Sequence, residues 1–150
     1  MNKLLKIVPF KIEHINMIDV REYEANTEFK IIQADKGIAE EIELNQNAFT
    51  IFYKGIILAC WGYTLMRKGV CEIWTIPSKH IKKYGRVYAK TTREQFLRFE
   101  KIYNFHRIQI TTKADKCHER WLKFLGFHKE GIMKKYAENG DDFIMWGRTS

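Results

Sequence analysis

The chain has little proline, little cysteine and no long apolar run. Its 150 residues include two prolines and three cysteines, Cys60, Cys71 and Cys117, with no Cys-x-x-Cys spacing among them. An odd, scattered count excludes a disulfide scaffold and points to a reducing compartment. The longest apolar stretch, residues 56–61, is far too short to cross a bilayer. Residues 1–9 show neither a signal-like apolar core nor a small-residue cleavage site, so a cytoplasmic protein with no membrane partner is expected. His14, His80, His106, His118 and His128 fall in no His-Glu-x-x-His or Cys/His ligand pattern, and no metal is expected. Walker and Rossmann glycine patterns are also missing. Acid is in deficit, 18 residues against 26 lysines and arginines, for a formal charge of +8. Anionic partners follow: nucleotide phosphates, nucleic acid or an acidic protein surface.

What is present suits one globular domain over residues 1–150. Hydrophobic residues make up 45% and aromatics 14%, enough to build a sizeable core at this length. Residues 4–8 predict a strand stopped by Pro9. Ile12, Ile15, Met17, Ile18 and Tyr23 then recur at roughly helical spacing. Residues 35–46 predict a second helix, with Asp35 as its cap. The period next changes to alternation. Residues 48–53, 56–66 and 70–76 predict three strands joined by Lys54-Gly55 and Arg67-Lys68-Gly69, an antiparallel meander. A basic loop over 77–84 leads into a long helix to Tyr103, whose apolar stripe is Tyr88, Thr92, Phe96, Phe99 and Tyr103. Residues 107–112 predict a strand, and Asp115 caps a helix ending at Leu125 before Gly126. Residues 128–136 and 142–147 predict two last strands around the Asn139-Gly140 turn. The order is β-α-α-β-β-β-α-β-α-β-β, an α+β arrangement.

Two stretches carry a family likeness. Residues 71–77 form a strand running into Lys82-Lys83-Tyr84-Gly85-Arg86-Val87. This resembles the Gln/Arg-x-x-Gly-x-Gly/Ala loop with which the GCN5-related N-acetyltransferase superfamily opens its long helix. Lys82 stands at the Gln/Arg position, Gly85 matches, and Val87 replaces the final small residue. The second stretch, residues 115–127, is similar to the superfamily's Asn-x-x-Ala-x-x-x-Tyr-x-x-x-Gly-Phe segment. Asp115 takes the Asn position, His118 the Ala, Leu122 the Tyr, and Gly126-Phe127 the terminal pair. Within the superfamily, the form His118-x-x-x-Leu122-Lys123-x-x-Gly126 resembles small acetyltransferase-like proteins of tailed bacteriophages, including an internal virion protein.

The resemblance implies a mixed, mainly antiparallel sheet of six to seven strands flanked by about four helices, in three layers. It implies acetyl-CoA as co-substrate and an amine-bearing acceptor, a small molecule or a protein. It also allows a homodimer or a phage particle component. By the same likeness, Lys82, Lys83, Tyr84, Gly85 and Arg86 hold the diphosphate, for which bared helix-start amides are suited. The backbone of Thr75 and Ile76 pairs with the pantetheine amides, and His118 and Leu122 lie along the thiol end. The sheet is expected to open just past Ile76.

Each assignment has a plainer counterpart. Lys79, Lys82, Lys83, Arg86, Lys90 and Arg93, with no acid before Glu94, also suit a solvated helix face. Glu72, opposite Cys71 and Ile73 in alternation, is the candidate base for the amine or a solvent-facing residue. His118 alternatively packs beside Trp121 or Leu122. Leu122 has no proton to give a departing thiolate, which leaves Tyr136 or a cysteine to substitute. Three functions result: an N-acetyltransferase, a phage accessory protein with that fold and weak or no catalysis, and, ranked lowest, a nucleic-acid binder.

Overall fold

The structure, a computed structural model, describes residues 4–20 and 36–150. Seven strands form one sheet in the order β1-β2-β3-β4-β5-β7-β6. They are β1 (Leu5–Pro9), β2 (Ala48–Tyr53), β3 (Ile56–Arg67), β4 (Val70–Pro77), β5 (Arg107–Lys113), β6 (His128–Met133) and β7 (Phe143–Thr149). Among the described residues four α-helices accompany them: α1 (Ile12–Met17), α2 (Lys36–Asn45), α3 (Gly85–Tyr103) and α4 (Lys116–Phe124). Neighbouring pairs β1–β2, β2–β3, β5–β7 and β6–β7 are antiparallel, and β4–β5 is parallel. The expected α+β class with a mainly antiparallel sheet is therefore what the chain adopts.

Several boundaries moved for local reasons. Pro9 belongs to β1, where it faces Phe49; the strand lies at the sheet edge, and an edge tolerates a missing N–H. The first helix stops at Met17, because Ile18 turns extended and is buried from outside the helix. Tyr23 and Asp35, expected in the first helix and as a cap, lie outside the described residues. The basic loop contains a short 3-10 turn, Lys79–Lys82, capped by the Ser78 hydroxyl, which accepts from the His80 N–H at 3.2 Å. Because α3 starts only at Gly85, Lys82 does not share a helix face with Arg86 and Lys90.

The described chain divides into two compact units, Met1–Tyr63 with Trp74–Gly85, and Thr64–Ile73 with Arg86–Ser150. In the first, Phe10, Ile15, Ile18, Ala39, Ala48, Ile57, Cys60 and Ile76 form a buried cluster. In the second, β5 alternates in burial with Ile108, Ile110 and Thr112 inward. Trp146 of β7 is fully buried and donates its indole N–H to the Thr112 hydroxyl at 3.0 Å. Phe96 of α3 meets Phe127 edge to face, with ring centres 6.1 Å apart. Arg107 grips Glu130 through both terminal nitrogens, at 2.9 and 2.6 Å. A Cβ at Gly147 would collide with that carboxylate, which explains a glycine within β7.

The first unit buries a histidine. His14 is 7% exposed. Its Nδ1 accepts from the Lys11 N–H at 3.1 Å and lies 2.7 Å from the Thr50 hydroxyl. Thr50 is in turn 3.6 Å from the Cys60 sulfur. The Phe10 and Phe52 rings flank the imidazole edge-on. Burial lowers the His14 pKa below its ordinary value; Lys11 adds to this, and Glu13 and Glu43 oppose it. The unfolded chain thus takes up the proton first. Stability is full above the ordinary imidazole range and falls as pH drops through that range to the lowered value. We expect the difference in melting temperature between the unaltered protein and His14→Gln to be larger at about pH 8 than at about pH 5, measured by circular dichroism. A pH-independent difference would show that His14 is not buried neutral.

Candidate active site

A parallel strand pair needs a crossover, and here it comprises the basic turn and α3. The β4–β5 register covers Val70–Arg107, Cys71–Ile108 and Glu72–Gln109 and ends there. The ladder thus stops at Glu72, earlier than the expected opening past Ile76.

Within the first unit, β4 carries Thr75, half-buried, and Ile76, fully buried, just before its last residue, Pro77. Ser78 is fully buried and donates its N–H to the Leu58 carbonyl at 2.8 Å, tying the turn to β3. Lys79 is held by Asp19 at 2.8 Å, so its charge is partnered. Lys82 and Lys83 are exposed, with no ion pair to an acid among the described residues. Tyr84 is half-buried against Tyr53, ring centres 5.0 Å apart. The ammonium of Lys83 lies 5.4 Å from the Tyr84 ring centre. Gly85 is exposed, and a Cβ there would meet nothing within 4 Å.

Sequence reading missed Lys54. It lies in the β2–β3 turn with φ 53°, and its ammonium is 5.6 Å from the Tyr84 ring centre and 5.5 Å from that of Tyr53. Lys54-Gly55 was legible as a turn, but nothing in the sequence placed that turn beside residue 84.

In the second unit, Glu72 is half-buried while its neighbours Cys71 and Ile73 are buried, as alternation required. Burial pushes the Cys71 thiol up to about 12 and the Cys60 thiol, in the first unit, to about 12. Both stay protonated, which removes them as nucleophiles. Arg86 is exposed in the first turn of α3, a turn without acid. Tyr136 is 52% exposed, its ring 5.4 Å from Phe143. Leu122 is fully buried. Trp121 stacks on Tyr88 at 5.6 Å, and its buried indole N–H has no acceptor among the described residues.

Asp115 caps α4 as expected, accepting the His118 N–H on Oδ1 at 2.8 Å. Its other oxygen lies 2.8 Å from His118 Nδ1. This second bond was not foreseen, although the Asp-x-x-His spacing was its signal. Gly126, with φ +86°, ends the helix region, and a Cβ there would press on Arg148 at 2.9 Å.

Among the described residues no group of three or more His, Cys, Asp or Glu could hold a metal ion. No described helix is long and apolar enough to cross a membrane. An open groove of about 510 Å³, lined in part by Leu97, Lys101 and Phe105, lies toward the carboxyl end of α3. It is remote along that helix from the residues above.

No family profile matches the chain, and no curated protein does. Solved structures do. A ribosomal-protein-S5-alanine acetyltransferase from Vibrio fischeri shares 18% identity over 99% of this chain and 94% of its own, with a TM-score of 0.69. An acetyltransferase of the GNAT family from Bacillus anthracis shares 14% over 99% and 96%, at 0.69. A microcin self-immunity acetyltransferase, solved with acetyl-CoA and AMP, shares 13% over 99% and 94%, at 0.70. The chain has the GNAT acetyltransferase fold. The two stretches singled out in the sequence fall at defined places in this fold: residues 82–87 stand at the β4-to-α3 junction, and residues 115–127 comprise the cap, body and stop of α4.

Removing the Asp115 cap by Asp115→Ala should lower stability by about 1 kcal/mol in urea unfolding. His118→Ala keeps the backbone N–H that the cap uses and should cost less. Equal losses would show that the ring bond, not the cap, holds the helix start.

Proposed function

We propose that the chain is an acetyl-CoA-dependent N-acetyltransferase acting on an amine, formed as one domain over residues 1–150. The observation that carries this reading is the GNAT fold over nearly the whole chain, shared with acetyltransferases. One neighbour was solved with acetyl-CoA, another is an acetyltransferase of a ribosomal protein's alanine, and a third, from Salmonella typhimurium, modifies the N-terminal serine of a ribosomal protein. The amino terminus of a protein or peptide is therefore the acceptor class to test first.

The chain's residues fit a diphosphate-bearing co-substrate. Lys82 and Lys83 are exposed, Gly85 leaves open space where a Cβ would sit, and the first turn of α3 carries no acid. Those features favour an anion at bared amides. Lys82, Lys83, Tyr84, Gly85 and Arg86 are assigned to the phosphates. The backbone of Thr75 and Ile76 is assigned to the pantetheine amides and the thioester oxygen, and His118 and Leu122 to the thiol end. Glu72 takes the amine proton as nitrogen attacks, directly or through water. Tyr136 remains a second candidate for proton transfer.

A second reading keeps the fold and the binding but not efficient turnover. Leu122, a buried hydrocarbon where the resembled segment has a proton-donating tyrosine, favours it. A phage accessory or virion-associated role belongs to this reading, through the likeness of residues 118–126.

Calorimetric titration with acetyl-CoA tests the proposal. We expect micromolar binding, weakened roughly tenfold or more by Lys82→Glu with Lys83→Glu, or by Gly85→Asp. Lys54→Ala should weaken it a few-fold, since its ammonium sits beside Tyr84. With peptides beginning in serine or alanine as acceptors, Glu72→Gln should slow turnover by roughly 10²-fold. Absent acetyl-CoA binding, with salt-sensitive affinity for DNA, would replace this reading by nucleic-acid binding. Binding without turnover would select the second reading.

A further inference from the structure

The acetyl transfer proposed above leaves a problem that the second unit's geometry addresses. Breaking the thioester's C–S bond leaves the electron pair on sulfur, and the thiolate is a far better leaving group when a proton arrives with it. Leu122 has none to give. Cys71, in the same unit, is buried and paired into the sheet. Tyr136 sits after the end of β6 with its ring on Phe143.

His118 is differently placed. Its side chain is 14% exposed, and Asp115 holds it twice, by the backbone N–H and by ring Nδ1, both at 2.8 Å. The first bond is all that helix capping requires. The second adds nothing to the cap, but it fixes the ring's orientation by a side-chain hydrogen bond. A carboxylate on Nδ1–H also directs proton exchange with any substrate through Nε2. Leu122 lies four residues on, one turn further along the same helix face. Helix α4 itself starts at the carboxyl end of β5, a strand of the parallel pair, and open sheets bind ligands at that end of such strands.

We infer that His118 is the proton donor to the departing thiolate and that Asp115 is its positioning residue; the assignment rests on the acetyltransferase reading. As the amine nitrogen bonds to the carbonyl carbon, the C–S bond breaks and its electron pair stays on sulfur. The imidazolium passes its Nε2 proton to that thiolate, giving the free thiol. The neutral ring keeps Nδ1–H on Asp115 and is reprotonated from solvent, which receives the amine's proton by way of Glu72. One proton leaves the amine and one reaches sulfur, with no oxidant or further reactant.

The test compares acetyl-CoA with its selenium analogue, whose selenolate leaves without needing a proton, using the serine-initiated peptide as acceptor. With acetyl-CoA, His118→Gln should lower kcat roughly hundredfold. With the selenium donor the loss should stay under about threefold. Calorimetric affinity for acetyl-CoA should fall by a few-fold at most, far less than kcat. In the protein without ligand, nitrogen NMR of the His118 ring should show Nδ1 protonated and hydrogen-bonded, a signature that Asp115→Asn alters. Equal losses with both donors, or no loss with either, would overturn the assignment and leave the acetyltransferase standing. An unprotonated Nδ1 would overturn it too, whereas absent turnover although acetyl-CoA binds would select the reading without efficient catalysis and remove this assignment with it. Failure of the unaltered protein to bind acetyl-CoA would overturn the transferase reading, and this assignment with it.

Discussion

Three residues of parallel pairing between β4 and β5 set the plan of the molecule. Two strands that run side by side in the same direction cannot be joined by a hairpin, so the chain must leave the sheet and return. It does so through the Ser78-capped turn and the 19 residues of α3. Beyond Gln109 the strand β5 runs on to Lys113 paired with β7, and α4 begins three residues later at Lys116. Two of the chemically suggestive stretches, the basic run at 79–86 and the Asp-x-x-His at 115–118, lie just beyond the carboxyl ends of these strands. The antiparallel remainder, β1 to β3 and β6 with β7, supplies core and edges.

Element order was legible because hydrophobic period changes so clearly along the chain. Tyr88, Thr92, Phe96 and Phe99 step by three and four and are buried as that pattern requires. In β2, by contrast, the alternation of Phe49, Ile51 and Tyr53 is broken: Phe49 is half-buried, Thr50 is buried, and the register shifts between Ile51 and Phe52. Caps and stops were legible for similar reasons: Asp115 has a short acceptor side chain, and Gly126 takes a positive φ at no cost in strain. The contacts that define the candidate site were less legible. Lys54 and Tyr84 are 30 positions apart, and only the register of β2, β3 and β4 brings them together. The 3-10 turn was hidden because its capping residue, Ser78, directly follows Pro77 within what composition marks as a loop. Buried His14 was equally silent: period alone cannot say that Thr50, 36 residues away, presents a hydroxyl to its ring.

Electrostatics separates structural charge from charge left available for a ligand. Arg107 is matched to Glu130, Arg148 to Glu100 and Lys79 to Asp19, each pair fastening one element to another. Hydrogen bonding to Glu130 raises the Arg107 pKa, and the same contact lowers that of Glu130, so each partner keeps the other ionised. The formal charge of +8 is therefore not spread evenly over the chain's chemistry. Lys82 and Lys83 stay outside these acid pairs at the end of the capped turn, immediately before the first amides of α3. A net-charge argument alone could not have distinguished this from a uniformly basic surface.

Leu122 illustrates how burial and chemistry compete for one position. It is fully excluded from solvent, in a helix whose next turn carries the buried Leu125. A phenol there would have to bring a hydroxyl into a place where an unpaired polar group costs about 1–3 kcal/mol. Leucine avoids that cost. At 118, one turn earlier, the helix start provides what the interior cannot: a carboxylate already fixed in place by its capping bond, and partial access to water. Polar function is cheaper to build at a helix end than in its packed middle, because the end must supply hydrogen-bond partners in any case.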